Sequence, residues 1–130
     1  MSNYIIKCVL LVSVGVSLCL ADDQYTSKYD NIDLDKILDS KRLVSNYVQC
    51  LLGTKGCPPE GLELKRILPD ALKTQCSKCT CVQRQGAVKA IQRLQKDYPD
   101  EWKLLLDKWD AKRESLAKFD DYVKKGGKIC

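Results

Sequence analysis

Eight cysteines in 130 residues constrain this chain more than any other feature. Two of them, Cys8 and Cys19, lie in the N-terminal stretch MSNYIIKCVLLVSVGVSLCLA. That stretch has one lysine, Lys7, then an uncharged run from Cys8 to Leu20, and it closes on small side chains at Cys19 and Ala21, as a signal-peptidase site requires. A run of about 13 residues is shorter than the roughly 20 a helix needs to span a bilayer. Residues 1–21 therefore read as a secretory signal rather than a membrane anchor. Six cysteines then remain, and in an oxidising compartment they read first as disulfides.

The 109 residues after the signal carry 21 basic and 17 acidic side chains, mixed along the chain with no long tract of one sign. Such patterning argues against a nucleic-acid-binding tail and against a disordered polyelectrolyte. The chain has no histidine, which excludes every mechanism that needs imidazole as acid, base or metal ligand. No Gly-rich phosphate loop and no G-x-S-x-G elbow is present. Asp100 and Glu101 suit a helix start, and Asp120 and Asp121 an exposed face. The expectation is a non-enzymatic protein with no cofactor and no metal. A domain of this size hides roughly two-thirds of its unfolded surface, so its core is thin.

From Asn31 onward the apolar residues recur at helical spacing. Leu34, Ile37 and Leu38 form one short face, with Asp30, Asn31 or Asp33 as cap. Ser40 caps a second helix whose stripe is Leu43, Val44, Tyr47, Val48 and Leu51, ended by Gly53 to Gly56. Pro58-Pro59-Glu60 opens a third, carrying Leu64, Ile67, Leu68, Ala71 and Leu72, with a kink or restart expected at Pro69. After the turn CSKC, a long segment from Cys79 to Asp97 carries Ala87, Val88, Ile91 and Leu94. Tyr98-Pro99 breaks it, and Trp102, Leu105, Leu106 and Trp109 follow. A weaker last helix holds Leu116, Phe119, Tyr122 and Val123. Nothing alternates with period two for long enough to make a sheet, so the chain reads as one all-α domain. The expected organisation is a signal peptide at 1–21, a flexible arm at 22–30, a helical domain at 31–125 and a tail at 126–130.

Cys50, Cys57, Cys76 and Cys79 follow the pattern C-x6-C-x18-C-x2-C, with Cys81 and Cys130 extra. A 50–57 bridge and a 76–79 bridge would each staple one turn, at roughly 2–2.5 kcal/mol apiece in the chain-entropy model. Local staples of that kind leave distant helices free of one another. A zinc site is disfavoured by the secretory signal and the loose six-residue spacing, and a redox pair by the absence of a preceding strand. Six cysteines still allow fifteen connectivities, and spacing alone does not choose among them.

The segments YTSKYDNIDLDKIL at 25–38 and CPPEGLELKRILPDALKTQCSKCT at 57–80, the four-cysteine spacing and the Trp102 segment resemble the arthropod chemosensory proteins, the four-cysteine olfactory-specific D-like family. The resemblance covers about residues 25–110. It implies about six short helices around a central apolar channel and two small-loop disulfides, Cys50–Cys57 and Cys76–Cys79. It also places Ile32, Leu43, Val44, Tyr47, Ile67, Leu68, Leu72, Val88, Ile91, Trp102 and Leu105 in the shell that lines the ligand, with Tyr29 and Trp102 near the mouth. Three features depart from the pattern. Cys81 stands where a polar or charged residue is usual, Trp109 replaces a tyrosine, and the tail lacks a proline-glycine turn and contains Cys130. Cys81 and Cys130 bridge to each other, link two chains as a disulfide dimer of an otherwise monomeric protein, or stay as two free thiols; the residues leave all three open.

The expected function is that of a secreted, extracellular carrier binding small hydrophobic ligands such as semiochemicals, odorants or fatty-acid-like lipids. It involves no nucleic acid and no stable membrane insertion after signal removal. The competing expectation is a cationic helical interaction protein acting on membranes or a protein partner, with its apolar stripes used only as core. For a carrier, Tyr29, Tyr47 and Tyr98 offer hydroxyls, and Trp102 and Trp109 offer indole N–H groups, to orient a ligand's polar end. Lys65, Arg66, Lys73, Arg84, Lys89 and Arg93 are candidates for a basic portal that attracts a carboxylate.

Overall fold

The computed structural model describes residues 24–125 and residue 130; the signal segment at 1–21 and residues 126–129 of the tail lie outside the described residues. All regular structure among the described residues is helical: α1 Leu34–Leu38, α2 Lys41–Leu52, α3 Pro59–Thr74, α4 Cys81–Asp97, α5 Pro99–Trp109 and α6 Glu114–Lys124.

Local chemistry sets the boundaries. The Asp33 carboxylate accepts the Lys36 N–H at 3.1 Å to open α1, and the Ser40 hydroxyl accepts the Leu43 N–H at 3.2 Å to open α2. Gly53, at φ +83°, turns the chain left-handed and ends α2. Pro59 and Pro99 open α3 and α5 at the position where a missing N–H forfeits no helical bond. Thr80 and Gln83 cap α4 reciprocally at 3.1 and 3.0 Å, so that helix starts at Cys81 rather than at Cys79, which the preceding turn retains. The residue before α6, Arg113, supplies no side-chain cap; the Asp110 carboxylate does so instead, accepting from the N–H groups of Ser115 and Leu116 at 3.1 and 2.8 Å.

Of the two outcomes expected at Pro69, a kink or a restart, the restart does not occur: α3 runs through it as one 16-residue element. An interior proline removes the N–H that would bond the carbonyl four residues back, here Lys65, at a usual cost of about 3 kcal/mol. Pro69 lies on the exposed side of α3, and Ile67, two residues away on the opposite face, is buried.

Helix α2 packs against α1, α3 and α5; α4 packs against α1 and α5; α3 packs against α2 and α6. The buried cluster is Leu38, Val44, Val48, Tyr98 and Leu105, with Leu34, Leu51, Leu52, Leu94 and Trp109 packed around it. It therefore belongs to α1, α2, α5 and the end of α4. The Tyr98 hydroxyl donates to the Leu38 carbonyl at 2.8 Å, and the Trp109 indole N–H donates to the Leu51 carbonyl at 3.2 Å, fixing α5 to α1 and α2.

Disulfides join Cys50 to Cys57 and Cys76 to Cys79, with Cα atoms 4.9 and 5.1 Å apart. Gly61 is needed at the first: a Cβ there would meet the Cys50 sulfur at 3.1 Å and the Pro58 ring at 3.2 Å. A third disulfide, Cys81–Cys130, spans a sequence separation of 49. It adds to the two small-loop bridges the intrachain alternative left open for the extra cysteines, and unlike them it reaches across three helices. It also joins the two extra cysteines within one chain, which leaves neither sulfur for a bond to a second copy.

The segment expected as a flexible arm is anchored over its described part. The Tyr25 N–H donates to the Lys78 carbonyl at 2.8 Å, and its phenol donates to the Asp70 carboxylate at 2.5 Å. The Gln83 amide donates to the Thr26 carbonyl at 2.9 Å, and the Thr80 hydroxyl donates to the Asp30 carboxylate at 2.9 Å. These bonds tie residues 25–30 to α3, to the Cys76–Cys79 turn and to the start of α4.

Candidate ligand-binding site

The apolar residues fall into two groups. One is the cluster just described. The other lies on α3 and α4, which are consecutive in sequence but are not among the closely packed helix pairs. Tightly packed helices run with axes about 8–10 Å apart, close enough for side chains to interdigitate and exclude water. On α3, Leu68 and Leu72 share a face at i, i+4; on α4, Val88 and Ile91 share one at i, i+3. All four are half-buried and stand outside the packed cluster, and no residue of α4 is fully buried.

The structure therefore sorts the ligand-lining residues expected from sequence. Val44 and Leu105 sit inside the packed cluster, where neighbouring side chains fill the space around them. Ile67 is buried but outside that cluster. Leu68, Leu72, Val88, Ile91 and Trp102 are half-buried and outside it. Ile32 is exposed at 39%, and Tyr29 is half-buried with the Lys28 ammonium 5.5 Å from its ring centre.

Leu43 and Tyr47 belong to a separate open cleft of about 360 Å³ at the α2–α3 junction, shared with Asn46, Lys55, Gly56, Pro58 and Glu60. Asn46 lies between Leu43 and Tyr47 on one helical face, so the spacing held the signal for it. Glu60 was legible only as a helix-start acid, because its partner lies 13 residues back on another helix. The Tyr47 hydroxyl donates to the Glu60 carboxylate at 2.5 Å. Burial, then the bond to Glu60, pushes that phenol up to about 12.

Several polar groups expected to greet a ligand are already engaged. The hydroxyls of Tyr98 and Tyr47 and the indole of Trp109 are spent on Leu38, Glu60 and Leu51. The remaining candidates for orienting a ligand are the Trp102 indole and the Tyr29 phenol. Four of the six residues considered for a basic portal are likewise engaged within the chain. Arg66 pairs with Glu63, Lys89 with Asp35, and Arg93 with Asp39 and Asp97. Arg84 donates to the carbonyls of Cys76 and Ser77 at 3.2 and 2.9 Å and so clamps the CSKC turn.

Residues 25–117 match the insect pheromone-binding family A10/OS-D. Ejaculatory bulb-specific protein 3 of Drosophila melanogaster is 54% identical over 109 residues, 84% of this chain and 86% of that protein. Putative odorant-binding protein A10 of the same fly is 41% identical over 106 residues, 82% of this chain and 68% of that one. Among solved structures, a chemosensory protein in complex with bromo-dodecanol superposes with a TM-score of 0.71 at 44% identity, covering 75% of this chain and 98% of that one. Antennal chemosensory protein A6 from the moth Mamestra brassicae superposes at 0.62, also with 44% identity, covering 79% and 95%.

Proposed function

The chain belongs to the insect pheromone-binding family A10/OS-D, and from that premise we propose that it is an extracellular carrier of small hydrophobic molecules, acting by binding alone. One observation carries the reading: the fold matches that of a relative whose structure holds bromo-dodecanol, an alkyl chain with a polar end. The apolar faces of α3 and α4 support it, being neither packed into the core nor turned fully to water. An alkyl guest between them would take the place of the missing interdigitation. Leu68, Leu72, Val88 and Ile91 line the chain of the guest, Ile67 closes the far side, and Trp102 lies at its polar end.

Burying a methylene contributes about 0.8 kcal/mol, so ten of them give roughly 8 kcal/mol before the costs of association. Micromolar affinity corresponds to about 8 kcal/mol net, so contacts beyond these methylenes contribute as well, and each methylene added or removed changes affinity roughly fourfold. The same reading makes 1–21 a cleaved signal peptide, 31–125 the binding domain and the secreted protein a monomer. The test is titration of the folded domain with dodecanol by calorimetry. Saturable binding at one site with a negative heat-capacity change supports the carrier. Folded protein that takes up no dodecanol excludes it.

A further inference from the structure

We infer that Asp30 determines which ligands the carrier takes: its inward carboxylate oxygen accepts a hydrogen bond from a hydroxyl at one end of the guest, so the cargo is an alkyl chain that ends in an alcohol. The inference rests on the carrier reading and narrows it. Among the described residues, Oδ1 of Asp30 is the one buried side-chain oxygen or nitrogen without a hydrogen-bond partner. A buried acceptor in that condition has given up its bonds to water and received none in exchange.

The donors around it are directed elsewhere. Thr80 has one hydroxyl proton, which goes to the other carboxylate oxygen of Asp30 at 2.9 Å, while the Thr80 oxygen accepts the Gln83 N–H at 3.1 Å. The Gln83 amide donates to the Thr26 carbonyl at 2.9 Å. The Tyr25 phenol and the Lys78 ammonium both reach Asp70, and the Arg84 guanidinium reaches the carbonyls of Cys76 and Ser77. The N–H of Asp30 itself donates to the Ser27 carbonyl at 3.0 Å.

The position of Asp30 ties this oxygen to the proposed ligand. Residues 25–30 are bonded to α3 at Asp70 and to the start of α4 at Thr80 and Gln83, where the two helices with loosely covered apolar faces meet. Leu72 follows Asp70 by two residues on α3, and Val88 stands about two turns beyond Thr80 on α4. Asp30 as a whole is half-buried, so an oxygen sealed from solvent is turned into the protein. Trp102 lies at the other end of α4. Its backbone N–H donates to the Tyr98 carbonyl at 2.9 Å, just past a helix whose 17 residues span about 25 Å. An acceptor at that end of the guest meets the indole N–H, and a donor at the near end meets Asp30. A terminal hydroxyl supplies such a donor. An aldehyde, ester or ether has none, and a carboxylate sets like charge against Asp30.

The experiment uses 12-methoxydodecan-1-ol and 1,12-dimethoxydodecane, which both offer an ether oxygen to Trp102 and differ at the other end by one O–H. Each is titrated calorimetrically into the wild-type protein and into Asp30→Asn, whose amide keeps an oxygen for Thr80 and presents an N–H donor in place of the second oxygen. The wild type is expected to prefer the alcohol by at least about tenfold, although the dimethyl ether is the more apolar compound. In Asp30→Asn the preference falls below about threefold, because a hydroxyl and an ether both accept from an amide. Equal binding of the two probes by the wild type means that solvent serves this oxygen, and overturns the assignment. So does an undiminished preference in the variant. A second measurement needs no variant: the carboxyl carbon resonance of Asp30 moves further on binding the alcohol than on binding the dimethyl ether, and equal displacements overturn the proposal. Dodecanol is titrated alongside. If the folded protein takes up neither dodecanol nor either probe, the carrier reading itself falls, whereas uptake without preference for the alcohol removes the role of Asp30 alone.

Discussion

The phenol of Tyr98 and the carbonyl of Leu38 meet at 2.8 Å in the buried cluster, and the Arg93 guanidinium donates to the same carbonyl at 3.2 Å. One backbone oxygen at the end of α1 thus fastens that short helix to both α4 and the α4–α5 junction. Tyr98→Phe leaves Arg93 as donor, so the carbonyl is never orphaned and the loss is about 1 kcal/mol, not the larger penalty of a buried unpaired group. Urea unfolding of the single variant measures it, and a loss several times larger would show that Arg93 does not compensate.

The two apolar groups should respond differently to substitution. Leu105→Ala empties a packed site and costs roughly 2–5 kcal/mol, whereas Ile91→Ala, on a half-buried face, costs less than half as much. The informative variant is Ile91→Trp, which fills the space proposed for the ligand. It is expected to unfold at the wild-type urea midpoint while dodecanol affinity falls at least roughly tenfold, about 1.4 kcal/mol. A large loss of stability without loss of binding would place Ile91 in a filled interior instead.

Alkaline pH reports on the α2–α3 cleft. The Tyr47 phenol is raised from 10.0 to about 12 in the folded chain, so the fold holds its proton more tightly than the unfolded chain does. The stability this brings is complete below pH 10 and is lost as pH rises from there through 12. Tyr47→Phe has no phenol to titrate and should lose less stability across that window. Matching alkaline unfolding curves for the two proteins would contradict the assignment.

Acid tests the anchored N-terminal segment. The hydrogen bond from Tyr25 holds the Asp70 carboxyl below its ordinary 3.8 against the opposing effect of burial, with further help from the charge of Lys78. A depressed carboxyl stabilises the fold above its unfolded value and ceases to do so as pH falls through the folded one. Because this group is substantially exposed, the effect is modest. Asp70→Asn should flatten the acid limb of the stability curve and speed amide exchange at residue 25. Protection at Tyr25 equal to wild type would mean that its backbone bond to Lys78 suffices.

The three disulfides should contribute unequally to stability. In the chain-entropy model, closing the loop from Cys81 to Cys130 stabilises by roughly 4 kcal/mol, against about 2–2.5 for each short loop. Cys81→Ser/Cys130→Ser is expected to lower the urea midpoint markedly with all other bridges intact. A midpoint within error of wild type would contradict the chain-entropy estimate for this loop.

Much of the architecture was legible in the sequence because its causes are local. Asp33 and Ser40 bond to N–H groups three residues ahead, and Pro59 and Pro99 stand where a helix begins. Such contacts are set by residue type and spacing alone. The helical periodicity and the four-cysteine pattern likewise fixed the fold class and pointed to the family.

What the sequence could not rank was the fate of side chains whose partners lie far along the chain. Val44 and Leu68 belong to equally regular stripes, yet one is sealed into a cluster by α1 and α5 while the other is left on a loosely covered face. Arg93 and Lys89 read as a free basic surface until Asp39 and Asp35 arrive from about 54 residues away. Cys81 and Cys130 were an open pair for the same reason. Periodicity states which face of a helix is apolar; only the assembled fold decides what covers it, because burial depends on where neighbouring backbones come to rest.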